Sequence, residues 1–423
     1  MAATTTSGPV RSASLARVAR GDLCSGCGAC AALAPDRIGM ASAAPGYLRP
    51  QVSAPLTEAE DGAIAGVCPG LRQHVTPGPG TRDHPLWGPF ADMRVGHATD
   101  PDLQFAGASG GGLSALALFL LETGRVEAVI ATAADPADPV GNTTVVLRGR
   151  ADILAAAGSR YAPSSPLSDL PAILAAAPGD RFAFVGKPCD AVALRAMRDR
   201  DPVLADRIPV ILSFFCAGVP SRTGAEEVLT HLGTDSAATQ SFRYRGNGWP
   251  GRATATDHTG EERSMSYHDS WGKILSRHVQ HRCKICADGT GVAADIACAD
   301  AWESDANGYP LFEDGEGTSL FVARTPAGQD LLTAAQAAGH VRSDPFDPQE
   351  LVKIQPGQRE RRRALLARLL ALRLSGRPVP DYRGLSLGAA ARQNPAKRNL
   401  QNFLGMLRRT LRRRQSPIGG ERT

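Results

Sequence analysis

The chain has 423 residues, 43% hydrophobic and 21% charged, with nine cysteines. That length allows two or three domains around a large buried core. The longest apolar run, residues 111–121, is too short to span a bilayer, and residues 1–20 lack the apolar core of a secretory signal. A cytoplasmic location is expected, where thiols stay reduced. The net charge of +5 is uneven: residues 351–423 carry 18 Lys/Arg against three acids, or +15, so residues 1–350 carry −10.

Residues 1–20 are Ser/Thr/Ala-rich and are expected to be disordered. Residues 21–80 read as a ferredoxin-type module. Its centre is Cys24-Ser-Gly-Cys27-Gly-Ala-Cys30, the C-x2-C-x2-C spacing that wraps three thiolates around a 4Fe-4S cluster, and the remote Cys68-Pro69 completes the ligand set. Small residues in the gaps let the backbone curl closely around inorganic sulfide. The alternative is zinc, although zinc sites usually pair two separate two-cysteine hooks.

Pro77-Gly78-Pro79-Gly80 reads as a linker. Gly107-Ala-Ser109-Gly110-Gly111-Gly112 opens a helix predicted over 113–122, stopped at Gly124. Backbone amides at such a turn suit a phosphate, with the Ser109 hydroxyl as an added donor; a plain glycine-rich turn is the simpler reading. Strands are predicted at 126–132, 142–147, 181–186, 208–215 and 319–324, and helices at 151–157, 190–199, 221–232 and 326–338.

Four further cysteines stand at positions suited to chemistry. Cys189 and Cys216 follow predicted strands, and Cys283-Lys-Ile-Cys286 is a two-cysteine hook. Strand ends of an open α/β sheet converge on one edge, so three segments can deliver four thiolates to one point; small buried residues are the other reading. Cys298 is left over as a buried bystander. Lys187, beside Cys189, and His281, beside the hook, are the candidates for stabilising charge or moving a proton; His268 and His278 also flank the hook. In the tail, residues 360–374 read as a basic helix. Leu400, Phe403, Leu404, Leu407 and Leu411 share one face of a second, ringed by arginines that include Arg412–Arg414. Such a helix packs on the body, lies on an anionic membrane surface or meets an acidic partner. Too few aromatics accompany it for nucleic acid.

Together these segments resemble the beta subunit of coenzyme F-420 hydrogenase and dehydrogenase, a group that includes 7-hydroxymethyl chlorophyll a reductase. The matching pieces are Ala108-Ser-Gly-Gly-Gly-Leu-Ser114, Gly158-Ser-Arg-Tyr161, Gly186-Lys-Pro-Cys-Asp190, Phe214-Phe-Cys-Ala-Gly218, Gly248-Trp-Pro-Gly251, Cys283-Lys-Ile-Cys286-Ala-Asp288, Ala294-Asp-Ile296, Asp300-Ala-Trp302 and Gly317-Thr-Ser319 with Arg324-Thr325. One departure is Ala299, where the family usually has Gly.

The resemblance implies an α/β (α+β) fold in which the 4Fe-4S module precedes α/β flavin-binding domains. These are an N-terminal family domain over 88–168, carrying the flavin turn, and a C-terminal domain over 169–348. A basic helical tail, 349–423, follows. It implies FAD held near Ser109, Gly110, Gly111, Gly112, Ser159, Arg160, Tyr161, Lys187, Asp295 and Asp300, and a second cluster on Cys189, Cys216, Cys283 and Cys286. The expected activity is an iron–sulfur flavoprotein oxidoreductase. Electrons pass from a ferredoxin-like donor to FAD, then as hydride to an organic substrate or the deazaflavin coenzyme. The alternative is a non-catalytic electron-transfer subunit working with a partner subunit. Peripheral association with the inner face of the membrane is the further expectation for the basic tail.

Overall fold

The computed structural model describes residues 12–301 and 315–415. Residues 1–11, Trp302 and the side chains of Arg412–Arg414 lie outside the described residues.

An eight-stranded mixed sheet organises the chain. Its strands, from edge to edge, are Val341–Pro345, Asp92–Ala98, Ser319–Ala323, Ile296–Asp300, Val210–Phe214, Phe182–Gly186, Ala128–Asp135 and Asp138–Leu147. The four strands Ile296–Asp300, Val210–Phe214, Phe182–Gly186 and Ala128–Asp135 run parallel, and antiparallel strands flank them on both sides. The parallel strands are near-continuous apolar runs because both of their faces are covered. Alternation along one strand shows the two layers. Val129 and Ala131 enter one core with the Gly112–Glu122 helix, and Ala128 and Ile130 enter the other with Phe182, Phe184 and Leu194. The Gly112–Glu122 helix is apolar all round and buried over most of its length.

The expected boundary at 168/169 does not separate two sheets, since strands from both sides of it pair directly. A three-stranded antiparallel sheet, Thr239–Arg243, Arg252–Asp257 and Glu262–Ser266, is an addition that the sequence pattern did not foreshadow.

The N-terminal segment carries two corrections. Residues 13–20, expected to be disordered, lie in the helix Ala13–Gly21, capped by the Ser12 hydroxyl accepting from the Leu15 amide. Its Val18 packs with Leu365, Leu369 and Met406 of the tail, and that tertiary burial outweighs the Ser/Thr/Ala-rich composition. Nor does the 21–80 module stand alone: its Arg72–His74 strand pairs in parallel with Asp381–Arg383, and it shares an apolar cluster with the tail.

The tail helices Pro356–Leu374 and Ala396–Gln415 pack on each other and on the body. The expected single apolar face of the second helix is divided. Phe403, Met406 and Leu407 face the core cluster, and Leu400, Leu404 and Leu411 are exposed. Among the described residues, no helix is long and apolar enough to cross a membrane.

Candidate redox site

The Cys24–Cys30 loop is shaped by two left-handed glycines, Gly26 at φ 82° and Gly28 at φ 86°. A Cβ at Gly28 would come within 2.5 Å of the Ser168 amide nitrogen, so only glycine allows both the turn and the contact. The Glu58–Val67 helix starts with a Thr57–Glu60 capping box and ends at Cys68, with Pro69 next. Cys24, Cys30 and Cys68 lie within electrostatic reach of one another, and Cys27 within reach of Cys30 and Cys68.

Backbone amides are aimed at these sulfurs: Gly26 at Cys24, Ala29 at Cys27, Ala31 at Cys30, Gly70 and Leu71 at Cys68. Such donors stabilise thiolates and the clusters they ligate. Without a metal, burial pushes the Cys30 thiol up to about 12 and Cys68 up to about 11. A coordinating metal reverses that preference and deprotonates the thiols.

The second set forms at the sheet's carboxyl edge. The strand Phe182–Gly186 leads to Lys187, Pro188 and Cys189, and Val210–Phe214 leads to Phe215 and Cys216. Cys283 and Cys286 come from the short helix His281–Lys284 and the turn after it. Cys216 is within electrostatic reach of Cys189, Cys283 and Cys286. The Val219 amide donates to Cys283 Sγ at 3.4 Å, the Gly218 amide to Cys216, and burial pushes Cys216 up to about 12. Among the described residues, no three His, Cys, Asp or Glu side chains close around one point as a single bound ion requires; the thiols are neighbours rather than a one-ion cage. The two sets are neighbours, with Cys27 within electrostatic reach of Cys189.

Two kinds of observation fit clusters at these cysteines. One is the row of amides directed at sulfur. The other is Arg282, 2% exposed beside both sets, whose Nε and one Nη lack a hydrogen-bond partner among the described residues.

Next to the second set is a cavity of about 330 Å³, within the range of small-molecule sites. Its walls include residues 107–109, 111 and 112 of the Gly-rich turn, the 158–161 segment, Lys187 and Cys216. Of the expected flavin residues, Ser109, Gly111, Gly112, Ser159, Arg160, Tyr161, Lys187 and Asp300 line it. Three expectations change in detail. Gly110 is not part of the lining; its backbone packs against Gly317, as φ 64° and a 2.9 Å Cβ approach to the Gly317 carbonyl require. The Ser109 hydroxyl donates to the Ala299 and Thr318 carbonyls and is not left over for a phosphate. Asp295 does not reach the cavity: its carboxylate holds Arg195, the Ile211 amide and Thr325, so it braces the sheet.

Arg160 lines the cavity but spends its guanidinium on Asn142 and on the Phe242, Pro139 and Gly141 carbonyls. Lys187 Nζ bonds Ser164 Oγ at 2.6 Å and Asp190 at 2.8 Å. Burial works against its charge, and Asp190, joined by Cys189 and Cys216 when these are thiolates, holds the ammonium above its ordinary range. His281 opens the Cys283 turn and is not part of the cavity wall. Cys298, expected as a bystander, is buried in its strand and also lines the cavity.

Sequence reasoning missed Arg245, Tyr267, Gln355 and Gln358, all on the cavity wall. Arg245 grips both Asp300 carboxylate oxygens, at 3.0 and 2.9 Å, and lies over the Trp249 and Tyr267 rings. A charged residue just before the Gly-rich run 246–251 was the available signal. Gln355 and Gln358 bond the Asp300 and Cys216 carbonyls from the tail, and no local motif marks them.

Comparison with known proteins follows the same segments. Residues 93–170 match the family "Coenzyme F420 hydrogenase/dehydrogenase, beta subunit N-term", and residues 179–349 match its counterpart for the C terminus of the same beta subunit. The chain belongs to the coenzyme F420 hydrogenase/dehydrogenase beta-subunit family. It is similar to the coenzyme F420-dependent sulfite reductase of Methanocaldococcus jannaschii, 22% identical over 270 residues, which covers 60% of this chain and 39% of the length of that protein. In fold it is similar to a chain in a xenon-derivatised structure of the F420-reducing NiFe hydrogenase complex from Methanosarcina barkeri. The TM-score is 0.50 at 20% identity, covering 67% of this chain and 96% of that one. The F420 family segments contain the second cysteine set and most of the cavity wall. Cys24, Cys27, Cys30, Cys68, Gln355 and Gln358 lie outside them.

Proposed function

We propose that this chain is an iron–sulfur flavoprotein oxidoreductase, with 4Fe-4S clusters on Cys24/Cys27/Cys30/Cys68 and on Cys189/Cys216/Cys283/Cys286 and FAD in the adjoining cavity. The observation that carries the reading is the succession of cysteines from the N-terminal loop, with Cys27 within electrostatic reach of Cys189, to Cys216 on the cavity wall. When bound, the clusters carry single electrons and FAD supplies two-electron hydride chemistry to an organic substrate or a deazaflavin.

The chain's own residues supply the setting. The Leu113 and Ser114 amides in the first turn of the Gly112–Glu122 helix lack intrahelical acceptors and suit a phosphate, while the Gly112 amide donates to Ser319 Oγ. The Arg245–Asp300 pair fixes one wall of the cavity. Tyr161, packed among Tyr244, Tyr267 and Trp271, forms an aromatic wall that excludes water. The Lys187 ammonium faces charge added at either cofactor. A ferredoxin-like protein is the proposed electron donor.

A second reading, an electron-transfer subunit docked to a partner, is supported by the fold likeness to a chain of a hydrogenase complex. Exposed Leu370, Leu374, Leu400, Leu404 and Leu411 on the tail helices favour it as well.

Anaerobic rapid mixing with a one-electron reductant tests the first reading. In C216A, flavin bleaching should slow at least about tenfold with FAD content unchanged. Bleaching at the parent rate in a variant lacking that cluster sinks the proposed route.

A further inference from the structure

Arg282 physically joins the two cysteine sets. Its backbone precedes Cys283 in the His281–Lys284 helix. Its side chain crosses to the other set, where one Nη donates to the carbonyl of Pro69, the residue after Cys68, at 2.8 Å. The guanidinium lies within electrostatic reach of Cys189, Cys283 and Cys286 of the second set and of Cys24 and Cys68 of the first. It is 2% exposed. Among the described residues, no carboxylate lies within 4.0 Å of it, Tyr382 presents a ring face at 5.8 Å, and Nε and the second Nη have no acceptor.

A buried cation with two unsatisfied N–H groups is costly unless negative charge is brought to it. The groups around it that take on such charge are the cysteine sulfurs and whatever they ligate. A carboxylate partner would have neutralised Arg282; leaving it unpaired keeps its field directed at both sets.

We propose that Arg282 is a shared electrostatic bridge that raises the reduction potentials of both clusters together. Each reduction adds a negative charge, and a fixed cation in a poorly screened interior favours the charged, reduced state. One side chain between two centres acts on both, so its charge shifts the two potentials in the same direction. Arg282 is a positioning residue here, acting on the clusters rather than on the substrate. The proposal rests on both cysteine sets holding clusters.

The test is an anaerobic redox titration followed by electron paramagnetic resonance on the parent, R282Q and R282K, with iron and sulfide measured on each sample. In R282Q both midpoints should move to more negative potential. In R282K, which keeps the charge, both should stay near the parent values. Parent protein without iron overturns the function reading and this proposal together. Parent protein with both clusters overturns the proposal alone if R282Q keeps full iron and either midpoint is unmoved. If R282Q loses its iron, R282K decides: midpoints that fall although the positive charge remains show that Arg282 acts by shape, and the bridge is wrong.

Discussion

The two cysteine sets are built in opposite ways. The first is local: Cys24, Cys27 and Cys30 sit on one loop bent by Gly26 and Gly28, and the Glu58–Val67 helix brings in Cys68. The second is topological: its thiols come from two strand ends and a turn about seventy residues further on, and they are in place because parallel strands end on one edge. The first set depends on what the backbone can do, the second on what holds separate segments together. Much of that holding comes from the tail. Arg361 donates to the Cys216 carbonyl at 2.9 Å and to the Ala217 carbonyl at 2.5 Å, and Gln358 donates to the Cys216 carbonyl at 3.0 Å. Arg362 bonds the Ala287 and Leu385 carbonyls.

This contrast breaks most visibly at Gly28. G28A forces a side chain into left-handed backbone against Ser168, and we expect a loss of about 2–4 kcal/mol with the first set's iron lost selectively. Thermal unfolding and iron analysis check it; a G28A protein of parent stability and full iron would mean the loop is not glycine-determined. C216A should come next in effect. It should remove roughly half of the iron, about four atoms per chain for one cubane, with the sheet intact by circular dichroism. Loss of all the iron would show that the sets do not assemble independently. R361A removes bonds to two carbonyls without touching a thiol, at about 1–2 kcal/mol. A chelator should then strip the second set faster than the first, and equal stripping rates would deny the tail its clamping role. The smallest effect belongs to the tail's outer leucines: L404E should change stability by less than about 0.5 kcal/mol, against a clear loss for M406E at the buried position. Comparable losses in both would mean that Leu404 is covered.

What the sequence made legible follows the same division. The Cys24–Cys30 spacing, the Gly107–Gly112 turn and most of the predicted strands are short-range signals, and residues near in sequence produced them. Arg245, Gln355 and Gln358 reach the cavity through long-range packing, which no spacing encodes. Asp295 went astray for the complementary reason: it sits in a recognisable segment, yet its carboxylate is taken up by Arg195 and the Ile211 amide across the sheet. The tail's charge was evident, but its burial was not. Arg362, 6% exposed, is satisfied by main-chain carbonyls rather than by solvent or an anionic surface. Helical periodicity in the last helix located an apolar face without showing that Met406 and Leu407 turn inward while Leu404 stays out.

The central claim is a continuous cofactor line from the N-terminal loop to the cavity, and its most direct test is stoichiometry. Protein purified without oxygen should contain about eight iron, about eight sulfide and about one FAD per chain, as two cubanes and a flavin require. Zinc in place of iron, in a colourless protein without flavin, would contradict the account.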